Sequence, residues 1–259
     1  MINCIRKANA LKKVLSIDGM SPKVRIDDLI ILGQSSPDIM KDGRLSVCTA
    51  GYSPTNGFIR LYPSRIDSPF RMWDIVSVPV ERNPQDARHE SWKIQGSKAE
   101  WGSLSDKIAV KGALGQKSKL LLIKTLLSGC VFDIRDQGRS MGIVKPVSKK
   151  CYFSERQGYD PYAQMTLDGV ALMKDKSRYR LQPRVRFSCD ECQSDDGHDQ
   201  QILEWGVYEW MRKNPSREEQ VWENLFAHET NQEILFLVGN LSRHPLSFMV
   251  ISILRIKRF

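Results

Sequence analysis

The apolar positions of this chain fall into short runs separated by turn-forming residues. From Arg25 onward these runs are DLIILG, RLSVCTAGY, GFIRLYP and WDIVSVPVE. Each is rich in Val and Ile and bounded by Gly, Pro, Asn or Ser, so each predicts a strand. RLSVCTAGY and GFIRLYP flank the sequence Ser-Pro-Thr-Asn-Gly, which predicts a hairpin closed at Asn56-Gly57. Strands joined by turns, with no long helices between them, favour a small barrel or sandwich over a doubly wound sheet. A helix is expected over 116–127, where leucines are dense and Gly129 suits the end of the helix. IVKPV, QMTLDGVALM and YRLQPRVRF then return to strand-like patterning.

The last quarter changes character. ILEWGVYEWMRK predicts a helix whose Ile202, Trp205, Tyr208 and Trp210 form a broad aromatic face. Ser216 followed by Glu219 predicts a capping box starting a second helix, with Val221, Trp222, Leu225 and Phe226 turned to the core. Two strands, EILFLVGN and LSFMVISILRIKR, complete the pattern. The expected architecture is mainly β, in three parts: a basic N-terminal arm over 1–25, a first module over 26–140 and a second over 141–259 with a helical insertion.

The 259 residues suffice for one large domain or two small ones, and the apolar and charged content is that of a globular protein. Six cysteines are too few for a disulfide-built scaffold. The first residues lack the apolar stretch of a signal peptide, and no later apolar run approaches the roughly 20 residues of a membrane span. The expectation is a cytoplasmic protein without a membrane partner. Its formal charge of +9 makes a polyanion a plausible partner. That charge is unevenly spread. Residues 187–209 hold seven acidic side chains and no Lys or Arg, whereas 141–186 hold ten Lys or Arg and four acidic side chains.

The acidic stretch contains the sharpest chemical signal, FSCDECQSDDGHDQ. Cys189 and Cys192 at CxxC spacing can turn onto one cation, and His198 follows beyond Gly197. A closed structural zinc site needs a fourth ligand. Cys151, His228, Asp195, Asp196 and Asp199 are the available ones, and one sequence does not choose among them. Incidental buried thiols and redox chemistry are the competing readings; the flanking acids argue against the latter by raising thiol pKa values.

Arg60, Tyr62, Arg65 and Arg71 lie among aromatics and prolines, and Arg184 and Arg186 alternate on one strand face. Such surfaces bind phosphates and stack bases in barrel domains, although a solvated charged face reads the same way. Asp86, His89 and Glu90 offer acid–base groups for a metal-assisted phosphodiesterase. No phosphate-loop, zinc-protease, serine-hydrolase or deaminase motif accompanies them.

Cys48-Thr49-Ala50-Gly51, Arg60-Leu61-Tyr62-Pro63 and the set Asp86, Arg88, Glu90, Ser91 resemble the motifs of the dual OB-containing domain family. MGIVKP, the CxxC segment, LEW and LFLVGN extend the resemblance over about 30–252, with His89 interrupting the third motif. The resemblance implies two OB-like barrels and a role binding or sensing nucleic acid in prokaryotic antiviral defence, and the expected role is non-catalytic. It brings no catalytic assignment. Alternatives are a nucleic-acid-processing enzyme and a structural adaptor binding protein partners in a defence complex.

Overall fold

The computed structural model describes residues 23–157, 159, 179–192, 194–227 and 230–258. The protein is mainly β. Strands β1 (Lys23–Gln34), β2 (Asp38–Ile39), β3 (Leu45–Ser53), β4 (Gly57–Ser64), β5 (Asp74–Arg82), β6 (Ser91–Ile94) and β7 (Ala109–Ala113) form the first sheet. β1 pairs with both β3 and β5, β3 with β4, and β5 with β6, all antiparallel. The parallel pair β4–β6 closes the ring through Arg60–Ser91 and Leu61–Trp92. The result is a closed five-stranded barrel whose order fits an OB-like barrel.

The alternation of β1 and β5 explains the closure. Ile26, Leu29 and Ile31 of β1 point inward with Val76, Val78 and Val80 of β5 and Ile59 and Leu61 of β4. The register shifts between Ile26 and Leu29, so Ile30 and Leu32 face the opposite side, onto the second half of the chain. Leu104, from a 3-10 helix over Lys98–Lys107, packs into the same core. The predicted hairpin is β3–β4, with Tyr52 opposite Phe58.

The chain continues through α1 (Gln116–Leu126), β8 (Leu127–Ser128), α2 (Val131–Asp136), β9 (Met141–Val144), β10 (Pro146–Glu155), β11 (Leu181–Cys189) and β12 (His198–Gln201). Then come α3 (Trp205–Lys213), α4 (Gln220–Phe226), β13 (Gln232–Leu241) and β14 (His244–Lys257). One sheet runs β10-β11-β12 and another β14-β13-β9-β8. A parallel bridge, Ile202 to Val250, links the segment after β12 to β14. β13 is buried on both faces: Ile234, Phe236 and Val238 enter one core, Leu235 and Leu237 the other. Its uninterrupted apolar run is the signature of that position.

Four expectations are corrected. Residues 23–25 belong to β1 and not to the N-terminal arm. The helix over 116–127 ends with Leu127 already extended, before Gly129 is reached. Ile202 lies in the Val250 bridge, outside α3, whose buried face is Val207, Tyr208 and Met211. Ser216 has φ 68°, a turn conformation, and α4 starts beyond it at Gln220. The expected strand QMTLDGVALM and the rest of the basic arm lie outside the described residues.

Candidate functional site

The three motif segments of the first barrel meet at one cavity of about 420 Å³. Cys48 comes from β3, Arg60 and Tyr62 from β4, and Asp86 and Arg88 from the loop joining β5 to β6. Asn240, Arg243 and His244, at the β13–β14 turn, line it from the second half. The cavity therefore lies on the face made by the barrel's second and third strands, beside the loop between its fourth and fifth. In OB-like barrels that face binds oligonucleotides and oligosaccharides.

Arg60 is only 5% exposed. Its Nη1 faces the Cys48 sulfur at 3.6 Å and its Nη2 donates to the Ser140 carbonyl at 3.2 Å. Its Nε–H is buried without a hydrogen-bond partner, and no carboxylate pairs with this guanidinium among the described residues. Arg88 forms an ion pair with Asp86 and donates to the Asn240 carbonyl. Burial pushes the Asp86 carboxyl up, but Arg88 outweighs it and holds the group below its ordinary value. Burial raises the Tyr62 hydroxyl, which keeps it a neutral donor.

Glu90 and His89 take separate positions. Glu90 is buried and accepts from the Ser140 backbone N–H at 2.9 Å and its hydroxyl at 3.0 Å. His89 is exposed, with Nδ1 3.4 Å from Glu90. Asp86 thus spends its oxygens on Arg88 of its own loop, and Glu90 spends its own on Ser140, binding the barrel to the second half. Among the described residues, no carboxylate belongs to a cluster close enough to hold an ion.

The other arginines are distributed elsewhere. Arg65 pairs with Asp67 and donates to the Trp101 carbonyl at 2.9 Å; Arg71 is exposed. Arg184 and Arg186 share one face, as their alternation predicts, but both bind Asp199, at 2.9 and 3.0 Å. The Tyr152 hydroxyl donates to the same carboxylate at 2.7 Å, and Arg186 lies 5.5 Å from the Tyr152 ring centre. Asp199, on β12 within the acidic segment, supplies the counter-charge for this pair.

A second cluster lies in the second half. The Cys130 sulfur is 3.3 Å and the Cys192 sulfur 3.4 Å from His198 Nε2. Cys130, Cys192 and His198 present ligand atoms within 4.8 Å of one another, close enough to hold a metal ion. Gly197 makes the approach possible: its φ is 67°, and a Cβ there would meet the Phe187 carbonyl oxygen at 2.6 Å. His198 sits opposite Phe187 in the β11–β12 ladder, flanked by the Phe132 and Phe187 rings. Burial lowers the pKa of His198, which favours the neutral imidazole a metal requires.

Cys130 was not among the ligands expected from the sequence. It lies just before α2, far upstream of the CxxC segment, where spacing gives no signal. Cys151 pairs with Val185, whereas Pro146 pairs with Cys189. Four residues of strand, about 13 Å, therefore separate Cys151 from Cys189. Asp199 is committed to Arg184 and Arg186. Asp195 and Asp196 lie outside the cluster, and His228 lies outside the described residues.

Residues 25–122 match a family model described as "Domain of unknown function (DUF8758)". That span covers the barrel and its three motif segments and stops within α1. Comparison with curated proteins finds no match. No helix among the described residues is long and apolar enough to cross a membrane.

Proposed function

We propose that the protein binds nucleic acid, single-stranded or structured, through the first barrel, and that it does so without catalysis. The observation that carries this reading is the cavity on the β3–β4 face. It contains a buried guanidinium with an unpartnered N–H, a neutral tyrosine hydroxyl and two further cationic side chains, Arg88 and Arg243. The buried Arg60 guanidinium lends the cavity positive charge, and a phosphate entering it takes charge-assisted bonds from Arg88 and Arg243. A base stacking near Tyr62 supplies the remaining contact area.

The test is fluorescence anisotropy with labelled single-stranded DNA and RNA and with duplexes. Binding should weaken steeply between about 50 and about 200 mM salt, because phosphate contacts release counterions. Tyr62→Ala and Arg243→Ala should each lower the affinity, and Arg243→Ala should also reduce the salt slope. Absence of binding to every probe at the low salt concentration refutes the reading.

The second half supports a second OB-like barrel in the same strand order. β9 and β10, one residue apart, serve as a single bent first strand that pairs with β13 and β11. β12 is then the third strand, α3 and α4 form an insertion between the third and fourth, and β13 and β14 are the fourth and fifth. The parallel Ile202–Val250 bridge stands where β4–β6 stands in the first barrel.

For the Cys130, Cys192 and His198 group the assigned ion is zinc, since thiolate and imidazole together suit it better than magnesium or calcium. The family resemblance extends the proposal to sensing in a prokaryotic antiviral system, in the cytoplasm and with protein partners.

A further inference from the structure

Cys192 and His198 come from one segment, and Cys130 arrives from a different part of the chain to lie within 4.8 Å of both, while the Cys189 thiol adjoins Cys130 outside that set. We propose that Cys130, Cys189, Cys192 and His198 form a closed four-ligand zinc centre that clasps the segment before α2 to the β11–β12 turn. This rests on the zinc reading above and adds the fourth ligand, the closure of the site and its structural role.

The geometry supports each part. Tetrahedral zinc with sulfur at about 2.3 Å and nitrogen at about 2.0–2.1 Å sets sulfur and nitrogen about 3.5 Å apart. The two separations in the structure are 3.3 and 3.4 Å. Cys189 is buried in the same core cluster as Cys130, with Cys192 packed against it. The Cys189 sulfur receives the Val131 backbone N–H and neighbours the Cys130 and Cys192 sulfurs. Two of these thiols, Cys130 and Cys192, contact the imidazole, and Cys189 stands next to Cys130; all three are free of disulfides.

Cys130 and Cys189 are almost sealed from solvent, at 0% and 4% exposure. A set of four protein ligands leaves no coordination position for water or substrate, which is the arrangement of structural rather than catalytic zinc. The Val131 N–H toward Cys189 supplies outer support for the resulting thiolate. The acidic side chains of the loop need no part in coordination. Asp199 remains with Arg184 and Arg186, and Cys130 anchors its own segment through its N–H to Asp133 at 2.7 Å. The clasp adds to the backbone hydrogen bond that the Glu191 N–H donates to the Gly129 carbonyl at 3.4 Å between the same two segments.

The experiment combines metal analysis with zinc K-edge X-ray absorption on the full chain purified from zinc-supplemented cells. The expected result is one zinc per chain with three sulfur and one nitrogen neighbours. A protein without bound metal, which also fails to take up added zinc, overturns both the zinc reading and the closed centre. One zinc with two sulfurs and an oxygen neighbour overturns the closed centre alone. Cys189→Ser should weaken zinc retention against a chelator by about 100-fold, as should Cys130→Ser, whereas Cys151→Ser should leave it unchanged. The absorption measurement uses the wild-type protein, so it decides the question even where a variant fails to fold.

Discussion

Gly197 and Gly138 provide a matched pair for testing how the loop reaches its metal. Both lie in the left-handed region, at φ 67° and 68°. A Cβ at Gly138 meets nothing within 4 Å, whereas one at Gly197 meets the Phe187 carbonyl oxygen at 2.6 Å. Gly138→Ala therefore carries the conformational cost alone, about 1–2 kcal/mol. Gly197→Ala carries the same cost and must also push a backbone oxygen away from His198's ladder partner position. Losing one ladder hydrogen bond adds about 1 kcal/mol, for a total of about 2–3 kcal/mol. Because Gly197 adjoins the ligand His198, that energy should appear in metal affinity as a loss of about 30- to 150-fold. Competition with a chromophoric chelator measures it, and thermal melts measure the stability change. Gly138→Ala should melt earlier but retain zinc as the wild type does. Equal zinc affinity in Gly197→Ala and wild type refutes the reasoning, since the loop would then reach the metal without this turn.

Other expectations follow from the contacts. Glu90→Ala strands the Ser140 N–H and hydroxyl and should cost about 2–4 kcal/mol, read as a lower urea midpoint at unchanged slope; Glu90→Gln should cost less. Phe236→Ala empties a site at 0% exposure and should cost about 3–5 kcal/mol by the same assay. Asp28, Asp86 and Asp199 are all held below the ordinary value of 3.8: burial raises each, and hydrogen bonds outweigh it. Depressed carboxylates stabilise the fold above 3.8, and that contribution is lost as pH falls through their folded values. Melting temperature should therefore drop below about pH 4, and Asp199→Asn should flatten part of the drop.

Local signals in the sequence carried far into the structure. The β3–β4 hairpin, the helix starting at Gln116 and the strand β13 follow from turn chemistry and periodicity within a few residues. Long-range partners did not. The shared face of Arg184 and Arg186 is visible in their alternation, but Asp199 lies on the next strand and depends on register. Arg60 reads as a surface phosphate contact until Cys48 and Ser140 are brought around it. Cys130 has no spacing relation to Cys189, so only tertiary packing reveals it as a ligand. Ser216 satisfies the capping pattern, yet its positive φ places it in the preceding turn. The three barrel motifs were legible as separate segments; their convergence on one cavity was not, because it requires barrel closure by β4 and β6.

The central claim, nucleic-acid binding on the β3–β4 face, is tested most directly by photocrosslinking a bound strand and identifying the attached peptides. Adducts are expected at Tyr62, in the 83–90 loop and at Arg243 or His244, all lost in competition with unlabelled strand. Adducts concentrated in the acidic 187–209 segment, with none around the cavity, would contradict it.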